Sequence, residues 1–553
     1  MAYDLVIRGG EIVDGSGSPR YRGDVGVVGD RIAAIGRIGE RGAREIDAEG
    51  LVVTPGFIDG HTHLDAQINW DPLCSSASDQ GVTTVVMGNC GFTLAPSRAD
   101  NRGAVVRNLE RAEDISAAAM AQGIDWSWET FPEYMDVLDK LPKALNHAVY
   151  VGHSALRTWA MGERAFEAEA SDDEVARMAG QLRAGLEAGA MGLSTSRSRA
   201  HETSDDRPVA SRVGSWDEVR RLVEVMGERG KGIFELALGG ETPPVVQEIA
   251  VETGVPVTFG VGAVGSMAWR DQLAMLDDTA AKGGRMIGQT HSRGITLLLS
   301  FQSGLPFDKL PTWAEFRRRP LAEQERLLRS DPALRERLVE AARTEAFPRA
   351  LGTEPRRPKW HLIQVRNGPL PPYPTLADIA EAQGRDPVEV MIDLALESPG
   401  LSQIFIQQIA PYPEDQLLQV LKHPRTAMTF SDTGAHVSQI SDCSIQTYLL
   451  AYWVRERQAF TLEEAVRMIT RAPAETWGFT DRGQVREGLK ADLNVIDPQT
   501  ILPQTPRIVA DLPGGAKRFV QGSAGIRATV VNGQVLMDDG AHTGALPGRL
   551  LRQ

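Results

Sequence analysis

The 553 residues are 42% hydrophobic and 24% charged, ordinary globular proportions that exclude a disordered chain and suggest one large domain with attachments, or several domains. A net charge of −14 speaks against a nucleic-acid or anionic-membrane surface, since both need clustered positive charge, and favours a small-molecule substrate. Three scattered cysteines, Cys74, Cys90 and Cys443, exclude a disulfide framework; with no basic-then-apolar leader and no run of about 18 apolar residues, a soluble cytoplasmic protein is expected.

The first fifty residues read as short strands separated by turns: YDLVIRGGEIVDGSG, DVGVVGDRIAAIG and EIDAEGLVVTPG. The C-terminal end has the same style in ADLNVIDP and ATVVNGQVLMDDG, with a hairpin signal at Asn532-Gly533. Segments 1–55 and 485–553 are therefore expected to form one β domain from both termini. Between them, residues 56–484 alternate β-branched runs with amphipathic helices, the pattern of a parallel sheet or barrel. The predicted strands are GFIDGHTH, GVTTVVMGNC, HAVYVGH, AMGLSTS, GIFELA, VPVTFGV, RMIGQTH and AMTFSD. Helix starts with capping-box spacing lie at Ser171/Glu174, Ser215/Glu218 and Thr461/Glu464. Eight strands with intervening helices are what an α/β fold of the (β/α)8 TIM-barrel type requires, with a doubly wound open sheet as the alternative. An Arg-, Glu- and Pro-rich stretch at about 300–359 reads as a helical insertion before the last strand, either a solvated decoration or an active-site lid.

In such a barrel the C-terminal strand ends carry the chemistry. Here they end on His61 and His63, Cys90, His153, Glu235, His291 and Asp432. His61 and His63, two apart on a strand, project to the same side. Each residue has a bland alternative. Asp432 could cap a helix, Cys90 could be a buried hydrophobe, Glu235 could face the helices, and His153 and His291 could be satisfied core groups. Taken together, two imidazoles, a carboxylate and a thiolate suit Zn²⁺ with an open position for water, one or two ions in all. Asp432 could then take the water proton and return it to a leaving nitrogen.

These motifs resemble the amidohydrolase superfamily and, within it, the D-aminoacylase (N-acyl-D-amino-acid deacylase) branch. The likeness rests on VVTPGFIDGHTHLD, GVTTVVMGNCGFTLAP, VGHSALR, AGAMGLSTS, FSDTGAHV and DRGQVREGLKADLNVID, and it spans nearly the whole chain. It implies a metal-bearing (β/α)8 barrel with a small β-sandwich built from both termini. His61 and His63 match the first-strand ligands, Asp432 the metal-binding general base, and Cys90 the cysteine that this branch uses as a ligand. The branch also has histidines at the fifth and sixth strand ends, where this chain reads FELALGG and VTFGVGA. Glu235 is the candidate to stand in for them. The usual lysine for the substrate carboxylate is also missing, and Arg157 or Arg293 could replace it through bidentate guanidinium contacts. His153 or His291 would stabilise the oxyanion.

The expected function is metal-dependent hydrolysis of the C–N amide bond of a small N-acyl (D-)amino acid or related amide. The alternatives are a hydrolase of a cyclic amide, lactone, ester or larger natural product, and a degenerate barrel serving binding or assembly. Small-molecule substrates, no nucleic acid, no membrane and a possible homo-oligomer complete the expectation.

Overall fold

The computed structural model describes residues 3–239, 243–262, 269–409 and 413–553. Its centre is a set of parallel strands: β1 (Phe57–Asp59, continued by His61–Thr62), β2 (Val82–Met87), β3 (Asn146–Val149, continued by Val151–Gly152), β4 (Gly192–Ser196), β5 (Ile233–Ala237), β6 (Val257–Gly260), β7 (Met286–Thr290) and β8 (Thr426–Met428, continued by Phe430–Thr433). Each pairs in parallel with the next along the chain. The last pairs back to the first, with Phe430 opposite His61 and Thr433 opposite Thr62. Strands such as VTTVVM and GLSTS are buried at every position, as parallel strands covered on both faces must be.

Helices follow the strands, and their first turns are specified locally. Ser171 with Glu174 and Thr461 with Glu464 form reciprocal capping boxes. The third expected box is only half formed. Ser215 accepts the Glu218 N–H, but the Glu218 carboxylate turns inward to His153 and Arg157. A buried imidazole and guanidinium compete successfully for it against one backbone N–H.

Strands from both ends of the chain share a nine-stranded sheet. The joint is Val52–Pro55 antiparallel to Leu493–Ile496, with Val53 opposite Val495. Leu5, Ile7, Val27, Val53, Val495 and Val530 form its core. The Asn532-Gly533 turn joins Ile526–Val531 to Gln534–Asp538. Both turn residues have positive φ, 46° and 79°, as a primed two-residue hairpin needs.

The insertion is longer and less purely helical than the sequence suggests. It begins with a strand at Thr296–Leu299, and strands at Ile363–Val365 and Phe405–Gln408 complete a three-stranded antiparallel sheet. Five helices between Pro311 and Glu397 pack on it around Phe307, Trp313, Phe316, Leu338, Met391 and Phe405. The short segments LLL and FIQQ lack the length and pattern that mark a strand in sequence, which is why the charged helices dominate the reading. No helix among the described residues is long and apolar enough to cross a membrane.

The turn after β8 presses on the end of β1. Gly434 has φ of +100°, and a Cβ there would lie 2.5 Å from the carbonyl carbon and oxygen of His63. The Gly434→Ala variant is therefore expected to lose about 1–3 kcal/mol of stability, the range for overpacking a tight contact, measured by urea denaturation.

Candidate metal centre

His61 and His63 lie where β1 gives way to its loop, and the His63 N–H donates to the Thr433 carbonyl at 2.7 Å. That contact brings the β8 end against the imidazoles. Asp432 Oδ1 lies 3.0 Å from His63 Nε2 and 3.6 Å from His61 Nε2. Cys90, just past β2, places Sγ 3.5 Å from His61 Nε2. Two overlapping groups can each hold a metal ion: His61, His63 and Cys90, and His63, Glu113 and Asp432, with ligand atoms inside 4.8 Å of one another.

Neighbouring side chains aim these ligands. The Gln289 carbonyl oxygen lies 2.6 Å from His61 Nδ1, so Nδ1 carries the proton and Nε2 turns a lone pair toward Cys90 and Asp432, the usual way an outer contact fixes a ligand tautomer. Glu235 accepts the Cys90 N–H at 2.7 Å, and Asp65 accepts the Gly88 N–H at 3.0 Å. Both ring nitrogens of His63 and one carboxylate oxygen each of Glu113 and Glu235 are buried without a hydrogen-bond partner. Although His63 Nε2 and Asp432 Oδ1 are only 3.0 Å apart, they are not aligned as donor and acceptor.

Burial opposes charge throughout this cluster. It pushes the Cys90 thiol well above its ordinary range, holds His61 down at about 3, and lifts Glu113 and Glu235 to about 8 each. For His63 burial acts downward, but Glu113 and Asp432 outweigh it and raise the imidazole to about 10. Asp432 shows the converse: burial acts upward, and His63 and His61 hold it well below the carboxylate range. The cluster thus stores protons where a divalent cation would sit.

A cavity of about 220 Å³ opens over these groups. Glu113, His201 and His436 line it with the expected His61, Cys90, Glu235 and Asp432. Glu113 lies 3.6 Å from His63 and 3.9 Å from His436. It follows the helix Arg102–Glu110, so no strand-end signal points to it. His436 stands four residues after Asp432 in FSDTGAH, and His201 five residues after the end of β4; both were within reach of a search extended from the strand ends into the loops. Arg356, from the insertion, also lines the cavity. It donates to the backbone carbonyls of Gly352 and Glu354.

The remaining expected site residues lie elsewhere. His153 is fully buried, with Nε2 2.6 Å from Glu218 and Nδ1 2.8 Å from the Thr195 hydroxyl. Arg157 pairs with the other Glu218 oxygen and donates to the Ala168 carbonyl at 2.6 Å. Both lie on the helix His153–Met161, from which their side chains reach Glu218 of the helix Trp216–Arg229. His291 Nε2 lies 3.3 Å from Asp442. Arg293 donates to Asp442 and to the Ser441 carbonyl, both at 2.9 Å. None of the four lines the cavity over the ligand cluster. Cys74 and Cys443 are free and buried away from it.

An amidohydrolase family model matches residues 44–537. The chain belongs to the amidohydrolase family. Its relatives place it in the D-aminoacylase branch. The D-aminoacylase of Alcaligenes xylosoxydans xylosoxydans is 28% identical, over 99% of this chain and 97% of its own. The N-acyl-D-aspartate deacylase of the same organism is 30% identical, over 99% and 95%. Among solved structures, N-acyl-D-glutamate deacylase from Bordetella bronchiseptica, complexed with zinc and a phosphonate mimic of the tetrahedral intermediate, is 27% identical. It aligns over 100% of both chains with a TM-score of 0.66.

The Glu218 ion pairs generate a prediction for this amidohydrolase. Burial acts to raise the Glu218 pKa, but His153 and Arg157 lower it to about 2. Its stabilising contribution is therefore complete above the unfolded-state value of about 4.3 and is lost as pH falls toward 2. Glu218→Ala, which strands a buried guanidinium, is expected to cost about 3–5 kcal/mol at pH 7. Urea denaturation at pH 7 and at pH 3 should show the gap from the unsubstituted protein narrowing at the lower pH.

Proposed function

We propose that this chain is a metal-dependent N-acyl-D-amino-acid deacylase, with the chemistry held at the top of a (β/α)8 barrel whose flanking β-sandwich is built from segments 1–55 and 485–553. The barrel reading is supported by the pairing of β8 back onto β1, which an open doubly wound sheet lacks. The functional reading is carried by one observation: His61, His63, Cys90, Glu113 and Asp432 form two overlapping groups whose ligand atoms lie within 4.8 Å of one another, with His63 and Glu113 atoms buried and unpartnered, and all but His63 lining one cavity. Two imidazoles, a thiol and carboxylates form a mixed nitrogen, sulfur and oxygen donor set that suits zinc. The zinc-bound relative supports the same choice.

The ion, when bound, acidifies water and polarises the scissile carbonyl. Asp432 holds the transferred proton at a carboxylate oxygen and delivers it to the leaving amine nitrogen. Gln289 keeps His61 in the tautomer that leaves Nε2 free. Arg356 binds the substrate carboxylate; no carboxylate among the described residues lies within ion-pair distance of its guanidinium. Leu236, Leu238, Ile295, Ile409 and Ile440 give the cavity an apolar wall, which excludes water and suits an apolar acyl group or side chain. With no other Lys or Arg lining the cavity among the described residues, a second, side-chain carboxylate would find no guanidinium. N-acetyl-D-leucine is accordingly the better substrate than N-acetyl-D-glutamate.

Chelator treatment should abolish hydrolysis of N-acetyl-D-leucine and Zn²⁺ should restore it; activity indifferent to both would end the metal reading. Asp432→Asn is expected to lower kcat by about 10²-fold or more. Arg356→Ala should raise KM by about 10- to 100-fold, the loss of a charged hydrogen bond, with kcat little changed.

Loading the ion must displace protons from His63, Cys90 and Glu113. Apparent Zn²⁺ affinity should therefore rise between pH 6 and pH 8, and calorimetry in buffers of different ionisation enthalpy should register net proton release. Affinity independent of pH would contradict the assignment of these ligands.

A further inference from the structure

Arg293 belongs to a second cavity of about 180 Å³. Neighbouring residues of the chain line the two cavities in turn. Ile295 and Ile409 face the metal cavity, while Arg293, Gly294, Thr296 and Gln408 face the second. The lining combines two guanidinium groups, Arg293 and Arg366, with the rings of Tyr373, Tyr448, Tyr452 and Trp453.

The charges in this cavity do not balance. Asp442 neutralises Arg293 at 2.9 Å. Glu414, the acid on the wall, is engaged by Arg457 and the Tyr452 hydroxyl. Arg366 is part-buried and donates to the Pro369 carbonyl at 3.4 Å; it has no carboxylate within ion-pair distance among the described residues, and its Nε is buried without a partner. Ser292 also lines the cavity, is fully buried, and has an unpartnered hydroxyl. A partly desolvated guanidinium without a counter-charge is unfavourable, and a carboxylate is its natural bidentate complement. The Arg293 guanidinium lies 5.3 Å from the Tyr448 ring centroid, and Tyr448 stacks on Tyr452 at 5.1 Å. These rings offer a flat apolar surface to whatever carries the anion.

We infer that this second cavity is a binding site for a small aromatic or apolar carboxylate, anchored by Arg366 and packed against Tyr373, Tyr448 and Trp453. It is distinct from the metal centre, and the inference does not depend on the deacylase reading. The loop between Asp432 and Ser444 borders both cavities, with His436 and Ile440 on one and Ser441 on the other.

Isothermal titration calorimetry of the full chain with benzoate tests this. One saturable site is expected below about 10 mM, retained in Arg356→Ala and weakened at least about 10-fold in Arg366→Ala. Arg366→Lys, which keeps the charge without the fork, should bind with intermediate strength and controls for misfolding. Inorganic phosphate, an anion without an apolar face, should bind at least about 10-fold more weakly than benzoate. Three results would each overturn the inference: no saturable binding to folded protein, benzoate binding lost in Arg356→Ala but kept in Arg366→Ala, or phosphate binding as tightly as benzoate.

Discussion

The pairing of the last parallel strand with the first is the contact on which the site depends. Phe430–Thr433 aligned on His61–Thr62 carries Asp432 across some 370 residues of sequence to within 3.0 Å of His63. The same closure buries acids and imidazoles together, and burial is what makes their arrangement consequential. In water each would be solvated and its neighbours screened. In a cavity bounded by Leu236, Ile409 and Phe430, each charge must be neutralised by a proton or by a cation.

Local backbone geometry shows what this convergence demands. Cys90, Asp432 and His436 all have positive φ, at 56°, 59° and 47°, a region that non-glycine residues enter at a cost of about 1–3 kcal/mol. Strands alone would point their side chains to fixed sides at fixed intervals. The left-handed residues redirect the chain at or just past the strand ends, so that groups from β1, β2 and β8 meet in one cluster. The surrounding contacts, Gln289 on His61 and Glu235 on the Cys90 amide, hold the result in place.

The strands and the first members of the candidate site were legible in sequence because both follow short-range rules. Alternating apolar runs located all of the parallel strands to within a few residues, and the strand-end rule singled out His61, His63, Cys90, Glu235 and Asp432. Glu113 was invisible for a physical reason. It reaches the cluster from a loop beyond a helix, and only the tertiary path brings it to His63. Arg157 and His153 misled for the opposite reason. They follow a strand end in sequence, but the helix that starts there rotates them outward to Glu218, whose own expected cap was forfeited in the exchange. Net charge and residue type alone did not distinguish a guanidinium already paired with a carboxylate, such as Arg293, from one bonded only to backbone carbonyls, such as Arg356.

The insertion carries its own hydrophobic core, centred on Trp313 and Phe405, and it meets the rest of the chain partly through polar contacts such as Arg111 with Glu354 at 3.0 Å. Arg356 lies two residues beyond that contact. Most of the candidate metal-binding groups sit at the ends of paired strands. Arg356, which lines the cavity over them, by contrast sits on a unit with its own hydrophobic core. Such a unit can be lengthened, exchanged or rewritten over generations while the bond-breaking machinery beneath it stays constant, which separates the evolution of what is recognised from the evolution of what is done.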